Sequence, residues 1–178
     1  MVISTLFFIS CSKPKNPVIP NEQEVITTVN LTLVPTTSGT PTVVLSFRDL
    51  DGDGGNAPVI TGGDLAANTT YTGTIEFLNE QNNAVEDITE EIEEEGDEHQ
   101  LFYQSTVGGI TISYNDQDGN GRPIGLNINL ATTNTGTGNL IIILRHQPDK
   151  SATSVSNGDI TNAGGETDIE VEIPINVI

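Results

Sequence analysis

Apolar and polar residues alternate along most of this chain. In the stretch 25–34, Val25, Thr27, Val29, Leu31 and Leu33 fall on one face, and Ile26, Thr28, Asn30 and Thr32 on the other. A period of two is the mark of a half-buried strand. The same reading predicts strands at 42–48 (TVVLSFR), 71–78 (YTGTIEFL), 101–104, 110–114 and 124–131, and at 169–177, where IEVEIPINV alternates cleanly. Residues 140–146 (LIIILRH) break the alternation with a continuous apolar run, which suits a central strand or one covered on both faces. Gly, Asp and Asn clusters punctuate these segments, with a turn at Pro35–Gly39 and a long Gly/Asp loop at 49–63. About eight strands separated by turns predict an all-β antiparallel sandwich spanning 24–178.

One segment departs from this pattern. From Glu86 to Glu98, nine of thirteen residues are acidic, and Ile88 and Ile92 are spaced for one helical face. Asp87 and Glu90 have capping-box spacing, so a short helix is expected at about 88–95, ended by Gly96. Glu93, Glu94 and Glu95 then crowd its C-terminus, where the helix dipole disfavours negative charge. Either a cationic group balances them or solvent does.

The spacing Leu65–Tyr71 (LAANTTY) resembles the tyrosine corner of fibronectin type III and other immunoglobulin-like domains. The resemblance implies an immunoglobulin-like sandwich. It also implies that the Tyr71 hydroxyl bonds back to the chain near Leu65 and pins a crossover between sheets.

The first ten residues are a short apolar run ending at Cys11, the sole cysteine. Phe8-Ile9-Ser10-Cys11 resembles the lipobox of bacterial lipoprotein signal peptides, which implies removal of residues 1–10 and lipidation of Cys11. The run is too short to span a bilayer as a helix. Residues 12–23 (SKPKNPVIPNEQ) hold three of the nine prolines and no periodic pattern, so an extended tether is expected between the lipid and the body.

Charge narrows the function. Six Lys and Arg face 25 Asp and Glu, for a net charge of −19. A nucleic-acid partner, or an anionic membrane gripped by basic patches, is thereby excluded, because phosphate contact needs clustered cations. A single Cys also excludes an internal disulfide framework. The chain lacks a nucleophile elbow, a phosphate-cradling loop and an HExxH motif, so an enzyme is not expected.

Two constellations could hold cations. Asp49, Asp51 and Asp53, interleaved with Gly52 and Gly54, resemble the front half of an EF-hand or dockerin calcium loop. Asp116, Asp118 and Asn120 repeat that half. Ca²⁺ takes six to eight oxygens, and alternate acidic residues with Gly supply several in a sharp turn. The twelfth positions are Ile60 and Asn127, so the closing ligand would come from elsewhere, and plain Asx turns are the competing reading. The second constellation is Asp97, His99 and His146. Asp97 and His99 share a face of an extended segment, and His146 ends the apolar run. If they meet, two imidazoles and a carboxylate make an open transition-metal site.

The stretches LSFRDLDGDGGNAPVI, LAANTTYTGTIEFLNE, EDITEEIEEEGDEHQLFY, LRHQPDK and GGETDIEVEIPINV together resemble a group of flavobacterial envelope lipoproteins catalogued under a "type 1 periplasmic binding fold" label. That label implies an α/β fold, which the strand pattern contradicts. The resemblance further implies lipid attachment at the outer membrane and a role as companion to a TonB-dependent receptor in nutrient or metal uptake. The alternative is a structural or adhesive surface module.

Overall fold

The computed structural model describes residues 24–178 apart from Asp53, Asn82 and Asn83. Cys11, the tether and Asp53 therefore lie outside the described residues. All eight predicted strands form: β1 (Thr28–Pro35), β2 (Val43–Arg48), β5 (Thr70–Asn79), β7 (His99–Ser105), β8 (Ile110–Tyr114), β9 (Asn127–Thr132), β10 (Gly136–His146) and β11 (Glu166–Val177). Three short strands join them: β3 (Val59–Thr61), β4 (Gly63–Leu65) and β6 (Glu86–Asp87). At two or three residues each, they are too brief to show a period.

The strands build two sheets. One runs β3-β2-β1-β5-β9-β8 with β6 added to β5, and the other runs β4-β11-β10-β7. Every pairing is antiparallel except β4 with β11. The inner faces meet in one core, with Leu31, Leu45, Ile75, Phe77 and Leu130 from the larger sheet and Leu140, Ile142, Leu144, Val171 and Ile173 from the smaller. The fold is the expected all-β sandwich. The continuous apolar run of β10 has a structural reason. Its even positions enter this core, while Ile143 packs with Phe102 on the opposite face, under Val155 and Ala163 of the 148–165 segment. β10 also lies between β11 and β7, so both its edges and both its faces are covered.

Tyr71 is fully buried, and its hydroxyl accepts the Ala66 N–H at 2.8 Å, next to Leu65. The backbone bond of the tyrosine-corner pattern is therefore present.

The helix α1 (Ile88–Glu94) packs against β5, where Thr89 Oγ1 bonds the Phe77 backbone, and buries Ile88 and Ile92. Asp87 caps it by accepting from the Thr89 N–H at 3.0 Å, in place of the expected reciprocal bond with Glu90. Gly96 follows for a packing reason: a Cβ there would stand 2.6 Å from Ile124 Cδ1. Lys150 reaches the end of α1, with its ion pair made to Asp118 rather than to Glu93, Glu94 or Glu95. Its buried ammonium donates to the Gly96 carbonyl and to Asp118 Oδ2.

Candidate metal centre

His99 opens β7 and His146 closes β10, and the two are direct cross-strand partners. Opposite residues of an antiparallel pair project to the same side, so the rings meet. Their centroids are 4.6 Å apart, edge to face, at the end of the sandwich below α1.

The third member comes from β11. Between Leu144 and Arg145 the β10–β11 register shifts: Leu144 pairs with Ile169, and Arg145 with Thr167. Asp168 is thus the extra residue of a β-bulge, and such a residue is re-aimed relative to its neighbours. Asp168 shares its parity with Glu166, Glu170 and Glu172, whose side chains are exposed. The bulge turns it inward, to a side-chain exposure of 2%. Arg145 supports this stretch by donating to the carbonyls of Gly164 and Gly165 and to Thr167 Oγ1.

Asp168 Oδ2 lies 3.8 Å from His99 Nε2 and 3.8 Å from His146 Nδ1. These separations are too long for hydrogen bonds. Both Asp168 Oδ2 and His99 Nε2 are buried without a hydrogen-bond partner. The outer nitrogen of His99 shows which of its atoms carries the lone pair. His99 Nδ1 faces the Glu95 carbonyl at 3.2 Å, and a carbonyl can only accept, so Nδ1 holds the proton and Nε2 is left as a donor of electrons. His146 stands with its Nε2 3.7 Å from Glu98 Oε2, again beyond hydrogen-bond reach, and with its Nδ1 on the Asp168 side. An outer acceptor fixing the tautomer of a histidine is the recurrent second layer of metal sites. Two ligands about 2.1 Å from a tetrahedral ion stand ~3.4 Å apart, so a small contraction of the observed spacing would seat one.

The electrostatics agree with that donor set. Burial pushes the His99 pKa below its usual value and keeps the ring neutral, outweighing the attraction of Glu95 and Glu98. Burial pushes Asp168 up, with His146 and Arg145 pulling the other way. Glu24, Glu95 and His99 form an overlapping set nearer the surface. Glu24 is pushed up to about 7 by burial first, then by the charges of Glu91, Glu95 and Asp168 and by a hydrogen bond with Glu91.

Of the sequence candidates, His99 and His146 come together and Asp97 does not join them. A turn closed by Glu98 N–H to the Glu95 carbonyl precedes β7, so the extended two-residue geometry does not reach back to Asp97. Asp97 lines a separate open groove of about 520 Å³ with Glu93, Glu94, Asp116 and Asp118.

In the Asp-rich loops the carboxylates face the protein's own donors. Asp49 Oδ1 accepts the Gly52 N–H, and Asp51 Oδ2 accepts the backbone and side-chain N–H groups of Asn56. Asp116 accepts the Gly125 and Asn127 N–H groups, one on each oxygen. Asp118 Oδ1 accepts from Asn120 and Arg122, and its Oδ2 takes the Lys150 ammonium at 2.9 Å. Burial would raise the Asp118 pKa, but the Arg122 and Asn120 N–H groups and Lys150 hold it below the usual carboxylate value. Asn120 is exposed and contributes its backbone N–H to this turn.

Asp168 and Glu24 escaped the sequence reading. The alternation of β11 assigns Asp168 to the solvent face, and Glu24 stands at the junction of tether and body. No known protein family matches the chain, and no curated protein or solved structure is significantly similar to it.

Proposed function

We propose that this protein is a non-enzymatic, lipid-anchored module of the bacterial outer membrane that captures a transition-metal cation at His99, His146 and Asp168, beside a TonB-dependent transporter. One observation carries the cation part: the buried, unpartnered Asp168 Oδ2 stands equidistant from two imidazole nitrogens, one of them also unpartnered. Leaving a buried polar atom unsatisfied costs about 1–3 kcal/mol. An arrangement that keeps two such atoms facing each other is explained by an ion that satisfies both. Two nitrogens and one oxygen suit Zn²⁺ or Cu²⁺ better than Ca²⁺, which wants oxygens alone. The anchor and the partner rest on Cys11 following the apolar run and on the lipoprotein resemblance.

Calorimetric titration tests the site. Zn²⁺ and Cu²⁺ bind with one-to-one stoichiometry, Ca²⁺ gives no saturable heat, and His99→Ala and Asp168→Asn abolish the transition-metal signal. Equal binding by the wild type and both variants refutes the assignment. Mass spectrometry of the native N-terminus tests for acyl chains on Cys11, and co-purification from membranes tests for the transporter.

The adhesive reading has an observation of its own. On the outer face of the larger sheet, Val44, Thr32, Thr74 and Asn127 stand in one cross-strand row, and Val34, Thr72, Asn129 and Ser113 in another. Neither row carries a charge, although the chain carries −19. Retention on cell-wall or glycan surfaces, lost on Thr32→Glu and Thr74→Glu, would favour that reading.

A further inference from the structure

The inner set is enclosed, with side-chain exposures of 0% for His99, 2% for Asp168 and 8% for His146. An ion must therefore pass other residues to reach it. The overlapping set Glu24, Glu95 and His99 runs from half-buried through exposed to buried, and its ligand atoms all lie within 4.8 Å of one another. His99 belongs to both sets. The two sets therefore adjoin at the His99 side chain, with the half-buried Glu24 and the exposed Glu95 on the solvent side of it.

We propose that Glu24 and Glu95, with His99, form an outer receiving site through which the cation enters and leaves the inner set. This rests on the reading of His99, His146 and Asp168 as the resting site. The chemistry orders the two stations. Carboxylate oxygens hold a borderline divalent ion loosely, while a second imidazole and a buried carboxylate hold it more tightly. The ion is first held by the two glutamates. It then exchanges them for His146 and Asp168 while staying beside His99, so it is never without protein ligands in the low-dielectric interior. Full desolvation of a bare divalent ion on that path would be far more costly.

The two stations predict a kinetic signature. A way-station lowers the barrier in both directions, so removing it slows entry and exit together and leaves the equilibrium nearly unchanged. Attraction at a distance behaves otherwise, since it speeds entry alone and weakens with salt. The test is stopped-flow exchange of Zn²⁺ between the full chain and a chromogenic chelator. For Glu24→Gln combined with Glu95→Gln, both rate constants are expected to fall about tenfold, with Kd changing by less than about threefold. Glu90→Gln with Glu94→Gln removes as many charges from exposed positions of α1 and should leave both rates unchanged. Thermal melts establish that each variant is folded.

The receiving site is overturned if the Glu24/Glu95 variant exchanges Zn²⁺ at wild-type rates, or if only entry slows and Kd rises in step. In either case Asp168→Asn still abolishes binding and the inner site stands. If Asp168→Asn binds Zn²⁺ like the wild type, or the wild type binds none, the inner site and the receiving site fall together.

Discussion

Asp168 is held in a place that is unfavourable to it as an ion. Burial raises its pKa, so the folded state binds its proton more tightly than the unfolded chain does. A group raised in this way contributes its full stability below its ordinary value of 3.8 and loses that contribution as pH rises through the folded value. Above that range the buried carboxyl therefore weakens the metal-free protein. Asp168→Asn should raise the melting temperature of the metal-free form at pH 7 by a few degrees, or about 1 kcal/mol, and the gain should shrink toward pH 4. Glu24 follows the same sign with a higher window. Its contribution is complete below 4.5 and fades as pH climbs through about 7, so Glu24→Gln should stabilise at pH 8 and not at pH 5. Thermal melts across pH in a chelator check both. A residue whose removal stabilises the fold and abolishes binding is kept for its chemistry.

At the scale of elements, the bulge decides the site. Gly165 sits just before it at φ +69°, and a Cβ there would stand 2.2 Å from the His146 carbonyl oxygen. Gly165→Ala combines left-handed strain with a backbone clash. It should cost about 2 kcal/mol or more in denaturant unfolding and weaken Zn²⁺ binding through displaced His146. The sequence showed the elements well and the bulge not at all. Val29, Leu31 and Leu33 announced β1, the Ile88–Ile92 spacing announced α1, and the solid apolar run announced β10. In each case one face is buried over enough residues to set a period. A bulge leaves no such trace, because a single inserted residue in an alternating strand changes parity without changing composition. For that reason His99 and His146 were legible as candidates, their types being rare and chemically distinct, while nothing sets Asp168, one residue before the alternating run 169–177, apart from Glu166, Glu170 and Glu172.

For the whole molecule, charge is the dominant fact. A chain at −19 repels itself when compact, and the repulsion is concentrated where α1 and the 116–120 loop bring acidic groups around one groove. Lys150, buried between Asp118 and the end of α1, neutralises only part of it. Raising sodium chloride from about 0.01 to 0.15 M shortens the screening length from ~30 to ~8 Å. The melting temperature should therefore rise by several degrees over that range, and Lys150→Met should enlarge the salt response. A melt insensitive to salt would mean that the acidic surface is already compensated.

The three inner donors sit on three different strands, and β11 brings its share through a kink that exists only once it is laid against β10. A nascent or partly threaded polypeptide thus does not yet hold His99, His146 and Asp168 together. Under the proposed function, loading therefore waits until the sandwich has closed, and the cation would come from the compartment where the protein matures.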